Sequence, residues 1–313
     1  MLDHRAPRSM GISPLAVYFS PKEDTVFYRG RAMCVRHDGG SMRLISSGRH
    51  HAVFEFGELQ VISLRDGYID MPPTRLRDEE GCPFDELPAV VPLVGDNLRL
   101  SVNAFHVTDG TRSVLIDTGA SDNWHDPTMG LIYDALDEAG IDRASITNVA
   151  ITHNHEDHVS GLIAPNGSEA FTELERVWIG AGDTAVFTGR LEPIRDRVVP
   201  VSEQVAINDW TTAIPTPGHT PGHTVYDIRS GNGHLLVWGD TVHVPTLQFD
   251  QPNVSWEFDG NQSQARAARA ALLEQLTRPH HFVAGAHLDS PGIARVTPSG
   301  NGYALQYLSL PIG

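Results

Sequence analysis

The sequence is short of cysteine, of basic residues and of long apolar runs, and each shortage removes a class of protein. Two cysteines, Cys34 and Cys82, in 313 residues are too few for a disulfide framework or a cysteine-rich zinc site, and they fit a reduced, cytoplasmic setting. Lys and Arg total 23 against 39 Asp and Glu, a formal net charge of −16. A chain of that sign repels phosphate backbones, so nucleic acid is not expected as the main partner. No stretch approaches the ~18 apolar residues of a membrane span, and the N-terminal segment lacks the apolar core of a signal peptide. A membrane partner is therefore not expected either. Wholesale disorder is excluded as well, because 40% of residues are hydrophobic and only 20% charged.

Histidine, by contrast, is plentiful: there are 16, several of them clustered. Residues 1–51 show little periodicity and are expected to form an N-terminal extension, irregular or packed in a dimer, ahead of one domain over 52–313. Within that domain, 58–71 reads as two short strands about an Asp66-Gly67 turn, and 98–107 with 113–117 as a hairpin about Asp109-Gly110. Residues 131–139 and 262–276 have helical spacing. Further strands are expected at 148–152, 176–179, 198–201, 213–216, 224–228, 234–238, 281–285 and 302–308. Groups of strands separated by helices, with polar clusters at the strand ends, predict an α/β fold of two mixed sheets covered by helices.

The densest of those clusters is His153-Asn154-His155-Glu156-Asp157-His158, directly after a predicted strand. In extended chain, residues two apart point the same way, so His153 and His155 can face one point. Asp157 and His158 lie where the chain turns and can face a neighbouring one. Imidazole and carboxylate suit zinc and similar divalent ions. Three later residues follow strand-like runs: His219 in Pro217-Gly218-His219, Asp240 in Trp238-Gly239-Asp240, and His287 after 282–286. Singly each is a weak signal. Together with the first cluster they fill a ligand count that none reaches alone.

This order of motifs, HxHxDH, then Pro-Gly-His, then Gly-Asp, then a late His, resembles the metallo-β-lactamase superfamily in its dinuclear hydrolase branch. The stretches 216–224 (TPGHTPGHT), 239–252 (GDTVHVPTLQFDQP) and 286–293 (AHLDSPGI) are similar to methyl parathion hydrolase and its lactonase-like relatives. The resemblance covers about residues 58–310. It implies an αββα sandwich with two divalent metals at one sheet edge. His153, His155 and His219 would bind the first, Asp157, His158 and His287 the second, and Asp240 would bridge them. Zinc is the first choice, and Mn²⁺, Co²⁺ and Fe²⁺ suit the same ligands. Asp117, in Ile116-Asp117-Thr118-Gly119, matches the motif whose Asp supports a ligand from behind. His223 is either a similar support or a loop histidine. Relatives of this type are often dimers.

The chemistry implied is hydrolysis by a metal-bridging hydroxide, with Asp240 and Asp157 as catalytic carboxylates and Asp157 as proton shuttle. An apolar substrate wall is expected from Phe105, Trp124, Phe187, Phe249 and Trp256. The small-molecule substrate expected is a lactone or ester, such as an N-acyl homoserine lactone or an aryl ester. A phosphotriester, as in methyl parathion hydrolase, is the alternative within the class. A metal-binding protein without catalysis is the alternative outside it.

Overall fold

The computed structural model describes residues 25–28, 31–34, 40–124 and 127–308. Thr25–Tyr28 and Arg31–Cys34 pair as an antiparallel hairpin in a unit of their own. The remainder of 1–39 lies outside the described residues.

Residues 39–313 form the second unit, built on two large sheets. The first has eight strands, in the spatial order Val198–Val201, Arg176–Gly180, Asn148–Ala150, Ser113–Ile116, Leu98–Thr108, Leu59–Met71, His51–Phe56 and Met42–Ser47. Its first four strands are parallel and the rest antiparallel. The second has seven: Val205–Ala206, Thr211–Pro215, Thr224–Ser230, Gly233–Val237, His281–Ala284, Ile293–Ser299 and Gly302–Tyr307. Only the pair Gly233–Val237 and His281–Ala284 is parallel there.

Period-two alternation sends Phe54, Phe56, Phe105, Val107, Tyr226, Ile228 and Phe282 into the space between the sheets. The outer face of the first sheet is covered by helix Ile132–Glu138 through Ile132, Ala135 and Leu136. The outer face of the second is covered by helix Gln262–Leu276 through Leu272, Leu273 and Leu276. The result is the expected αββα sandwich. No helix among the described residues is long and apolar enough to cross a membrane.

Three expectations are corrected. The sheet begins before residue 52: Met42–Ser47 and His51–Phe56 pair with each other and with Leu59–Met71, the inward positions of His51–Phe56 being Ala52, Phe54 and Phe56. Residues 58–71 are not a hairpin but one long strand, Leu59–Met71, whose register slips between Arg65 and Gly67. Asp66-Gly67 makes a bulge there, because the partner strand Leu98–Thr108 continues past it. Lastly, Phe105, Phe187 and Phe249 are core residues and do not line the substrate wall. Phe105 faces between the sheets, Phe187 packs with Leu191 and Ile194 beneath the first sheet, and Phe249 packs on Trp238 at a ring distance of 5.8 Å.

Strand direction decides where the functional loops gather. Ser113–Ile116 and Asn148–Ala150 run parallel, as do Gly233–Val237 and His281–Ala284. Thr211–Pro215 is two antiparallel steps from Gly233–Val237 and so shares its direction. The residues that follow all five strands therefore emerge at one edge of the sandwich. Bonds between the two sheets close that edge: Thr224 N donates to Thr152 O (2.8 Å), Tyr226 Oη to Ile151 O (2.8 Å) and Asn103 N to Ala286 O (3.0 Å).

Candidate metal centre

Asp117, His153, His219, Asp240 and His287 each follow one of those five strands, and the geometry brings their side chains together. Asp117 has φ +61°, rare for a residue with a side chain, and is held there from several sides. Its Oδ1 accepts from Thr152 N (2.8 Å), and His158 Nδ1 donates to its Oδ2 (2.8 Å). Gly239, just before Asp240, has φ +52°, and a Cβ there would lie 2.8 Å from the Thr152 Cβ and 2.9 Å from His223 Nε2. Only glycine allows the Asp240 loop to approach the His153 strand so closely.

Asp240 is the hub. Its Oδ2 lies 3.0 Å from His287 Nε2, 3.2 Å from His243 Nε2, 3.5 Å from His219 Nε2 and 3.7 Å from His153 Nε2, while its Oδ1 lies 3.1 Å from His158 Nε2. His219 Nε2 and His155 Nδ1 face each other at 3.1 Å. Donor atoms of His153, His155, His219 and Asp240 all lie within 4.8 Å of one another, and so do those of Asp157, His158 and His287. A third such group, Asp240, His243 and His287, shares Asp240 with the first and His287 with the second.

The far sides of the rings are tied down. His219 Nδ1 donates to Asp259 Oδ1 (2.8 Å), His287 Nδ1 to Ser101 O (2.8 Å) and His158 to Asp117 as above. Each of these contacts leaves Nε2 directed at the cluster, the arrangement that metal-binding histidines use. His223 is one step removed from the cluster: Asp240 N donates to its Nε2 (3.3 Å), and its Nδ1 faces Thr216 O (3.3 Å).

Charge and burial make the case for cations. His153 Nε2 is buried with no hydrogen-bond partner among the described residues, and the buried His158 Nε2 and Asp240 Oδ1 meet at 3.1 Å without the geometry of a hydrogen bond. Burial, followed by the neighbouring His158, drives His153 well below the usual histidine range, and burial pulls His155 and His243 down to about 4. These shifts favour the neutral imidazole, the form that binds a metal. His158 and His287 go the other way: burial opposes their charge, but the Asp240 and Asp157 carboxylates outweigh it and push them up. Burial would raise Asp240, yet His287, His158 and His153 hold it well below the carboxylate range. Three imidazoles that favour the neutral form, and two whose charge is drawn up only by the carboxylates beside them, all directed at one buried aspartate, fit divalent cations.

Above the cluster lies a cavity of ≈ 230 Å³, walled by Ile69, Met71, Leu100, Trp124, Trp256 and Phe258, with Glu156 and the donor residues completing it. Of the five aromatics expected in a substrate wall, Trp124 and Trp256 line this cavity. Sequence reasoning misses His243, which stacks on Trp256 at 4.9 Å and whose only local signal is its place three residues after Asp240. It also misses Asp259, whose contact with His219 spans 40 positions, and Asp66. The bulge aims the Asp66 carboxylate inward, where it accepts from Ala120 N (2.9 Å) and Ile132 N (3.0 Å), the two ends of the segment that carries Trp124. Burial outweighs those backbone bonds and raises Asp66 to about 6.

A four-layer sandwich with two sets of nitrogen and oxygen donors sharing one aspartate at its edge is the architecture of metal-dependent hydrolases. The chain belongs to the metallo-beta-lactamase superfamily, whose family model matches residues 98–287 and so takes in all seven expected ligands. Among curated proteins, "Beta-lactamase-like protein 2 homolog" of Drosophila melanogaster is 26% identical over 174 residues, 50% of this chain and 56% of that protein. The chain thus spans little more than half the length of that relative. "Probable metallo-hydrolase YybB" of Bacillus subtilis (strain 168) is 26% identical over 165 residues, 49% of this chain and 70% of the relative. Two solved structures share the fold with a TM-score of 0.73 each. One is the hydrolase AbOPH of the beta lactamase superfamily, at 21% identity over 85% of this chain and 100% of that one. The other is AidC, described as a dizinc quorum-quenching lactonase in complex with a product, at 20% identity over 87% of this chain and 98% of that one.

Proposed function

We propose that this protein is a dinuclear metallo-hydrolase that opens a lactone or cleaves an ester. The observation that carries the reading is the convergence of two donor sets on Asp240 at the floor of an apolar cavity. His153, His155 and His219 would hold one ion, Asp157, His158 and His287 the other, with Asp240 shared. Two divalent ions, zinc by first choice, supply Lewis acidity toward the scissile carbonyl and lower the pKa of water toward ~7.

The chain's own residues do the rest. Trp124, Trp256, Phe258, Ile69, Met71 and Leu100 receive the apolar part of the substrate and exclude water around the reacting bond. Asp157, on the cavity wall, is placed to take a proton and return it to the leaving oxygen. No Lys or Arg lines this cavity among the described residues, whereas the exposed Glu156 adds negative charge at its edge. That lining favours a neutral substrate and disfavours polyanions. A closed structural metal site has no need of a cavity opening onto its donors, which argues against the non-catalytic reading. The lactonase named among the structural neighbours supports a lactone. A neutral phosphotriester fits the same lining and is the runner-up.

The reading is tested with zinc-loaded enzyme on acyl lactones, aryl esters and a dialkyl aryl phosphate. Lactones or aryl esters are expected to give kcat/KM at least about tenfold above the phosphotriester, a difference of about 1.4 kcal/mol in barrier. The reverse order would assign the chain to phosphotriester hydrolysis.

A further inference from the structure

Helix Gln262–Leu276 presents an apolar stripe of Ala265, Leu272, Leu273 and Leu276 to the second sheet, and Arg269 stands in the middle of it, fully buried. An arginine in such a stripe has a reason beyond packing. Its Nε donates to Thr241 O (2.7 Å), and its Nη1 donates to Pro252 O (2.8 Å) and Val254 O (2.5 Å). All three carbonyls belong to the segment that begins at Asp240 and ends in the cavity wall. The remaining nitrogen, Nη2, lies 3.6 Å from Asp259 Oδ2.

Asp259 divides its two oxygens. Oδ1 accepts from Nδ1 of the donor His219 (2.8 Å), and Oδ2 accepts from the backbone N of Trp256 (3.0 Å). A carboxylate this deep needs a counter-charge, and Arg269 supplies it. The accepting oxygen also selects one tautomer of His219, with the proton on Nδ1 and the lone pair on Nε2 facing His155 and Asp240.

We propose that Asp259, held by Arg269, is a positioning residue that couples the His219 donor to the Trp256 wall, so that binding of the ion at His153, His155 and His219 and the set of the substrate wall depend on one another. The proposal rests on the dinuclear reading above. A buried ion pair serving stability alone would contribute equally to both ion sites. The Asp259 carboxylate bonds directly to one donor, His219, and to none of Asp157, His158 and His287.

The test begins with metal content. Wild-type chain equilibrated with zinc and passed through a desalting column is expected to keep two ions, and a chain that keeps none refutes the dinuclear reading itself. Asp259→Asn puts an amide N–H against one of its two present donors. It is expected to lose one ion about 10–100-fold more readily in chelator competition, with the second retained and the Co²⁺-loaded spectrum changed at one site. Hydrogen exchange at the Trp256 amide is expected to quicken in the same variant. Wild-type affinity at both sites, parallel loss of both ions with a lowered Tm, or unchanged exchange at Trp256 would each overturn the coupling. If Asp259→Asn does not fold, the zinc-loaded wild type decides: a slowly exchanging Nδ1–H of His219, seen by NMR of ¹⁵N-histidine protein, is expected, and its absence overturns the proposal.

Discussion

Asp240→Ala is expected to lower kcat/KM by about three orders of magnitude or more, some 4 kcal/mol of transition-state stabilisation at 1.36 kcal/mol per tenfold. Asp240 lies within 3.7 Å of the Nε2 atoms of His153, His158, His219, His243 and His287, and no other carboxylate among the described residues pairs with all of them. Its removal leaves five imidazoles with no shared anion, so two cations could not stay close against their own repulsion. Glu156→Gln is the control: it lies on the same cavity, serves no donor set and should leave kcat within a few-fold of wild type. Steady-state kinetics on zinc-loaded variants, with circular dichroism to check folding, decides the matter. Near-native turnover by Asp240→Ala would contradict the mechanism.

Removal of metal is the second large effect. A ligand that binds only the folded chain stabilises it by about 4 kcal/mol when present at a thousandfold its Kd. Two such sites amount to about 8 kcal/mol, and for a domain of this size each kcal/mol moves Tm by about 2–4 °C. Dialysis against a chelator is therefore expected to lower Tm by on the order of 15–30 °C at neutral pH and to abolish turnover, both restored by zinc. Acidification should mimic the chelator, because imidazoles must be deprotonated to bind metal. An unchanged Tm in scanning calorimetry would mean that the cluster holds no ion.

The first cluster was legible because its spacing is local: the chain leaving strand Asn148–Ala150 carries His153 and His155 toward one donor group, and the helical turn Glu156–Val159 carries Asp157 and His158 toward the neighbouring one. His219, Asp240 and His287 could be read as polar residues at the ends of apolar strands, and strand direction then gathers them. Partners distant in sequence could not be read. Asp259 meets His219 across 40 positions and Asp66 meets Ile132 across 66, and neither pairing leaves a mark on local composition. Arg269 did leave one, a lone charge in the apolar stripe of a helix. The aromatics divided, Trp124 and Trp256 falling in the cavity and Phe105, Phe187 and Phe249 in cores, because hydrophobicity does not distinguish a core from a pocket wall. Asp66-Gly67 looks like a hairpin turn for a similar reason. The dipeptide supplies the same backbone freedom to a turn and to a bulge, and only the distant partner strand chooses between them.

Crystals of the zinc-loaded chain, measured on both sides of the zinc absorption edge, address the central claim most directly. Two anomalous peaks are expected, one among His153, His155 and His219 and one among Asp157, His158 and His287, with the Asp240 carboxylate between them. A difference map without those peaks, or with zinc held elsewhere, would contradict the account.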